Sequence, residues 1–202
     1  MIYSEKVKKI IKNKYPEITS LTERTLRALE LYKKLAREAR KRGWKIAFLS
    51  GLAVDANFGY LTKQHRDADI IASSETIKEI VKFLEREGHN VYEPEKVKGE
   101  CLKVDQAEPD RPMRAHCDIH YYWEQDGKII IPLLGKRLSL SAGFYDATVE
   151  LEFMGEWARF LKPQYILEEK IGWRDQIGLE QREEYTYEME KVSFLMKELK
   201  KE

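Results

Sequence analysis

Residues Phe48 to Ala72 read FLSGLAVDANFGYLTKQHRDADIIA, and the order of apolar and acidic residues here decides the fold. Phe48-Leu49 close an apolar run from Lys45, which predicts a short strand over 45–49. Ser50-Gly51 turn the chain into a brief helix over 52–58, which Gly59 ends. Asp67-Ala68-Asp69 lead into Ile70-Ile71, which predicts a second strand over 67–71. Successive side chains on a strand point to opposite faces, so Asp67 and Asp69 share one face, roughly 6–7 Å apart. Solvated carboxylates at a strand end are the plain alternative. Burying two like charges, however, costs more than they recover unless a cation sits between them. Beside a glycine bend that admits phosphate, the pair suits Mg²⁺ and a nucleoside triphosphate.

Upstream, Ser20-x-x-Glu23 has the form of a capping box, and Leu26, Leu29, Leu31, Leu35 and Ala36 recur at near-helical intervals until Gly43. Downstream, Ser74 caps a helix with an apolar face of Ile77, Ile80, Val81 and Leu84, stopped by Gly88. Residues 90–149 are strand-rich, with strands expected at Val91-Tyr92, Cys101 to Val104, Ala115 to Trp123 and Lys128 to Ile131. Asp126-Gly127 is a hairpin signal, and the prolines between Glu108 and Met113 predict a loop. Pro163 opens a helix toward Ile177, and a last helix runs from Leu179 to Lys200. The expected fold is α+β (α/β): a mixed sheet flanked by helices, with a C-terminal helical segment. The expected division is a core over 1–153 and the helical segment over 154–202.

The chain of 202 residues is 43% hydrophobic, enough for one sizeable core. Charged residues make up 35%, but 36 basic against 35 acidic leaves a net charge of +1. That balance argues against a general nucleic-acid binder, which carries a basic excess, but permits a single basic cleft. The spacing of Cys101 and Cys117 suggests neither a metal site nor a disulfide framework. With no apolar leader and no run long enough for a bilayer, the expectation is a soluble cytoplasmic protein without a membrane partner.

In Ala115-His116-Cys117-Asp118-Ile119-His120-Tyr121, alternation puts Asp118 and His120 on one face and Cys117, Ile119 and Tyr121 on the other. Asp118 either completes a carboxylate triad with Asp67 and Asp69 or bonds His120 on a solvated face. Three converging carboxylates would hold two Mg²⁺ ions about 3.5–4 Å apart, with Asp118 placed to accept a hydroxyl proton. Tyr121, Tyr122 and Trp123 are either a base-stacking platform or hairpin packing. Glu150 and Glu152 alternate with Val149, Leu151 and Phe153 as on a half-buried strand and face either a cationic acceptor or water, water being preferred. Trp157 and Trp173 pack the helical piece onto the sheet.

The run Leu49-Ser50-Gly51-Leu52-Ala53-Val54-Asp55, with Gly59, Leu61-Thr62, His65 and Asp67-Ala68-Asp69, resembles the active-site segment of the lincosamide and aminoglycoside nucleotidyltransferases of the polymerase-β-type superfamily. Cys117-Asp118-Ile119-His120 is similar to the strand carrying that family's third carboxylate. The resemblance covers residues 45–72 and 115–122, and more loosely 163–170. It implies a minimal nucleotidyltransferase fold and Mg²⁺-dependent transfer of a nucleoside monophosphate from an NTP to a hydroxyl of a small molecule. Ser50 and Gly51 would cradle the β- and γ-phosphates, Lys170 would reach the triphosphate, and Asp67, Asp69 and Asp118 would hold metal. Arg66 contacts phosphate or pairs with an acid, and His65 braces the loop or lies on the surface. Two departures stand out: Ser50 occupies a position where the superfamily usually has glycine, and Lys63 one where the family has arginine. Three rivals follow: a same-superfamily enzyme modifying a protein or RNA end, a nucleotide-binding module without turnover, and a structural α/β protein whose three acids make only salt bridges.

Overall fold

The computed structural model describes residues 4–106, 117–177 and 183–201. Helices α1 (Glu5–Lys14) and α2 (Glu23–Arg42) lead into β1 (Ile46–Phe48), α3 (Ser50–Phe58), β2 (Ile70–Ser73) and α4 (Ser74–Arg86). Strands β3 (His89–Tyr92), β4 (Cys101–Gln106), β5 (Cys117–Gln125), β6 (Lys128–Leu133) and β7 (Lys136–Leu140) follow. A one-turn helix α5 (Phe144–Ala147), the hairpin β8 (Thr148–Phe153) and β9 (Glu156–Leu161), then α6 (Pro163–Ile177) and α7 (Glu183–Leu199) complete the chain. The sheet order is β3-β4-β5-β2-β1-β9-β8, with β6 and β7 extending from β5. β2 runs parallel to β5 and β9 parallel to β1, while the remaining pairs are antiparallel. This is the expected mixed α+β sheet flanked by helices.

Local signals explain most boundaries. Gly43 and Gly59 end their helices in the left-handed conformation, at φ 69° and 87°. Thr22, rather than Ser20, caps α2, its hydroxyl accepting from the Thr25 N–H at 3.2 Å. Asp126-Gly127 makes the β5–β6 turn with both residues at positive φ. Leu134-Gly135 and Met154-Gly155 use the same geometry, although leucine and methionine carry no turn signal. β7 and β9 therefore went unread in the sequence. β9 enters the sheet between β1 and β8, so position 153/154 falls within a hairpin of that sheet. The expected loop over 108–113 and the first two residues of the expected strand at 115 lie outside the described residues.

One strand differs in a way that matters to the acids. β2 begins at Ile70, so Asp67 and Asp69 occupy the extended approach to it rather than the strand. The Leu49 N–H still donates to the Asp69 carbonyl at 3.1 Å, but the chain turns into α3 at Ser50 and the ladder stops there. Both acids thus sit at the open end of the sheet, beside the start of a helix.

The core under that end is aromatic. Tyr32 packs edge-on against Phe48 with ring centroids 4.8 Å apart, and Phe160 lies 5.5 Å from Phe48 and 5.9 Å from Phe153. The buried Tyr32 hydroxyl donates to the Phe153 carbonyl at 2.9 Å, tying α2 to β8. Leu26, in the expected apolar series of α2, is 52% exposed. Among the described residues no helix is long and apolar enough to cross a membrane. Phe160 is fully buried on β9, so Phe160→Ala should lower unfolding stability by about 3–5 kcal/mol in denaturant titrations.

Candidate active site

The loop between Gly59 and Asp69 is held from below by Asp55, a fully buried residue of α3. Its carboxylate accepts from the Thr62 N–H at 2.8 Å, from the Thr62 hydroxyl, and shares a 2.8 Å bond with His65 Nε2. Lys191 on α7 lies 3.7 Å from the same carboxylate and donates to the Thr62 hydroxyl. Thr25 on α2 closes the other side, donating to the His65 carbonyl at 3.0 Å and accepting its N–H at 3.1 Å. His65 is therefore a buried brace of the loop, not a surface residue.

This loop delivers Arg66, Asp67 and Asp69 to a cavity of about 270 Å³, which Ser50, Gly51, Asp118 and Lys170 also line. All seven residues assigned in the sequence to metal or phosphate line this cavity. The Asp118 N–H donates to Asp69 Oδ1 at 3.0 Å, which fixes the third acid against the second. Burial, then the like charges of Asp67 and Asp118, push the Asp69 carboxyl well above the usual carboxylate range. The opposing Asp118 N–H bond and the Lys170 ammonium do not outweigh them. Such a site is short of positive charge, and its oxygen donors are those a hard divalent cation takes.

Asp118 does not bond His120. Both its oxygens instead accept from Lys103 Nζ at 2.8 Å, Lys103 being its direct partner across the β4–β5 ladder. Lys103 was missed in the sequence because the pairing depends on register between strands joined through residues 107–116. Burial brings the His120 imidazole down to about 4. Its ring lies 6.0 Å from that of Trp173, which lines the cavity and donates to Glu169 Oε1 at 2.9 Å. Trp157, expected to pack, is 46% exposed. Tyr122 stacks on Phe144 at 5.3 Å within the core and is not a base platform. Glu150 and Glu152 are exposed, as expected.

At the other wall, α3 begins without a side-chain cap, Leu49 standing at the cap position. Its first-turn N–H groups have no partner within the helix and suit an anion. Ser50 adopts φ 54°, the left-handed region that glycine enters freely, at a cost of roughly 1–3 kcal/mol. Its hydroxyl donates to Glu169 Oε1 at 3.0 Å and accepts from Lys170 Nζ at 3.1 Å, which holds the side chain against α6. Gly51 has no room for a side chain: an added Cβ would stand 2.6 Å from Glu188 Oε1 and 2.9 Å from Lys63 Nζ.

Glu188, on α7, bridges two lysines, with Lys63 Nζ at 2.5 Å and Lys170 Nζ at 2.8 Å. Burial alone would raise its carboxyl, but the Lys170 and Lys63 ammonium groups outweigh burial and bring it down to about 2. The resulting stabilisation, on the order of 3 kcal/mol, is present above the unfolded value near 4.5 and lost as pH falls toward 2. Glu188→Gln should therefore be less stable at neutral pH, and its deficit should shrink between pH 4.5 and 2 in denaturant titrations. A deficit independent of pH would show that the two lysines do not hold the acid.

Comparison with known proteins bears on this geometry. Residues 32–110 match the family of the aminoglycoside-2''-adenylyltransferases. No curated protein sequence matches the chain. The structure is similar to that of the lincosamide antibiotic adenylyltransferase LnuA bound to lincomycin, with a TM-score of 0.58 and 16% identity over 87% of this chain and 98% of that one. It is also similar to ANT(2'')-Ia in complex with adenylyl-2''-tobramycin, with a TM-score of 0.59 and 14% identity, again over 87% and 98%. The solution structure of ANT(2'')-Ia gives 0.59 and 18%, over 88% and 93%. The chain therefore has the nucleotidyltransferase fold expected from its motifs, and its segment 32–110, which holds Ser50, Gly51, Asp67 and Asp69, carries the sequence pattern of the aminoglycoside-2''-adenylyltransferase family.

Proposed function

We propose that the cavity is the active site of a nucleotidyltransferase that moves a nucleoside monophosphate from an NTP to a hydroxyl of a small molecule and releases pyrophosphate. The observation that carries this reading is the convergence of Asp67, Asp69 and Asp118 on one cavity, opposite the uncapped start of α3. The three carboxylates would hold two magnesium ions, which when bound offset the triphosphate charge and acidify the acceptor hydroxyl. The Ser50 and Gly51 N–H groups bind the β- and γ-phosphates, and Lys170 lies on the same wall with its ammonium beside the Ser50 hydroxyl. Arg66, exposed at the rim, contacts phosphate from the loop side.

The acceptor oxygen attacks the α-phosphorus, the bond from that phosphorus to the bridging oxygen breaks, and pyrophosphate departs in line. Asp118 takes the hydroxyl proton, and one of its oxygens must part from Lys103 to do so. A small-molecule acceptor is favoured over nucleic acid because the net charge is only +1. The structural neighbours LnuA and ANT(2'')-Ia carry lincomycin and adenylylated tobramycin, which supports the same class.

Incubation with labelled NTP, Mg²⁺ and pools of hydroxylated antibiotics, metabolites or tRNA should put label in the small-molecule fraction. Asp67→Asn and Asp118→Asn should each lower pyrophosphate release by at least about 100-fold. Label in RNA or protein would move the acceptor to another class. Metal-dependent NTP binding in calorimetry with no pyrophosphate from any pool would leave a nucleotide-binding module. No metal-dependent NTP binding at all would overturn the reading.

A further inference from the structure

Cys101 on β4 stands directly opposite His120 on β5, and Asp118 lies two residues before His120 on the same face. One ligand atom from each, the Cys101 sulfur, an Asp118 oxygen and a His120 ring nitrogen, all lie within 4.8 Å of one another. A tetrahedral zinc ion holds its sulfur and nitrogen ligands about 3.5 Å apart, so side-chain movements of about an ångström would close the set. The His120 side chain is 8% exposed and lines the cavity, and its Nδ1 is buried with no hydrogen-bond partner among the described residues. A buried imidazole nitrogen without a partner is costly, and a metal ion would supply one. Cys101 is 2% exposed, and its thiol donates only weakly to the Leu102 carbonyl, at 3.4 Å.

We propose that Cys101, Asp118 and His120 form a second metal site, selective for a thiolate-preferring divalent cation such as Zn²⁺. The donor set distinguishes it from the aspartate cluster. Magnesium takes oxygen ligands, whereas sulfur and imidazole nitrogen select zinc and its spectroscopic substitute cobalt. Binding releases the Cys101 thiol proton to solvent and leaves a fourth position open to the cavity. The Lys103 ammonium, held on Asp118 at 2.8 Å, competes with the incoming cation and must give up at least one carboxylate oxygen. Because Asp118 belongs to both ligand sets, zinc would withdraw it from magnesium and slow transfer. That consequence rests on the nucleotidyltransferase reading, whereas the site itself does not.

The test is titration of the metal-free full chain with Co²⁺, followed by absorbance. The expected result is stoichiometric binding, with the visible bands of four-coordinate cobalt and a near-ultraviolet sulfur-to-cobalt charge-transfer band. Cys101→Ser should abolish the charge-transfer band, and it and His120→Gln should each weaken binding by more than about 100-fold, beyond what outer-shell changes cost. Lys103→Met should tighten it. Wild-type protein with no charge-transfer band overturns the site, as does binding unchanged in Cys101→Ser and lost only in Asp67→Asn. Inhibition of pyrophosphate release by Zn²⁺, relieved in Cys101→Ser, tests the consequence separately, so inactive protein that still shows the cobalt bands keeps the metal site and discards only the enzyme reading.

Discussion

A single buried carboxylate, that of Asp55, fixes the loop on which the acids ride. It satisfies a backbone N–H, a hydroxyl and an imidazole at once, with the Lys191 ammonium nearby. A charge in a dry interior is tolerable only when its lone pairs are occupied in this way. The arrangement also ties together parts of the chain that share no secondary structure: α3 carries the acid, the loop carries Thr62 and His65, and α7 carries the lysine. Thr25 of α2 completes the enclosure through both polar backbone groups of His65. The path from Gly59 to Ile70 thus has little freedom, and Asp67 and Asp69 reach the cavity without being part of the sheet ladder.

Both walls of the cavity carry charges of both signs. The three aspartates come from the sheet side, at the approach to β2 and on β5, with Lys103 beside Asp118, while Lys63 and Lys170 stand with Glu188 beside α3 and α6. Glu188 keeps the two ammonium groups together behind Gly51, and the absence of a side chain on Gly51 lets that bridge press against the first turn of α3. Lys103 gives the Asp118 carboxylate an immediate cationic partner. The strain at Ser50 belongs to the same arrangement, since its hydroxyl is held by Glu169 and Lys170 in a backbone conformation glycine would enter more easily.

What the sequence revealed and what it hid divide along a physical line. Features set by neighbouring residues were readable: the stops at Gly43 and Gly59, the Asp126-Gly127 turn, the acid pair before Ile70, and the opposed faces of Asp118 and Ile119. Features set by register between distant segments were not. Lys103 looks like any solvated lysine until β4 is laid against β5, and Cys101 has no meaningful spacing to His120 along the chain. Glu188 was invisible for the same reason, and Asp55, although part of the run that resembles the family, had no role there, because each gains its role from partners brought in by tertiary packing. The turns at Leu134 and Met154 were hidden differently: the left-handed geometry falls on residues whose side chains do not favour it, so only the following glycine hints at a bend.

The position of α7 has a consequence for how the protein is made. Glu188 is the last contributor to a cavity whose other walls are laid down between residues 49 and 173, and Lys191 joins the Asp55 carboxylate that braces the loop. On the ribosome, Lys63 and Lys170 emerge before the acid that neutralises them, and Asp55 emerges long before its lysine. A nascent chain can therefore pair its central strands early, yet the pocket acquires its finished electrostatics only once α7 has emerged and docked.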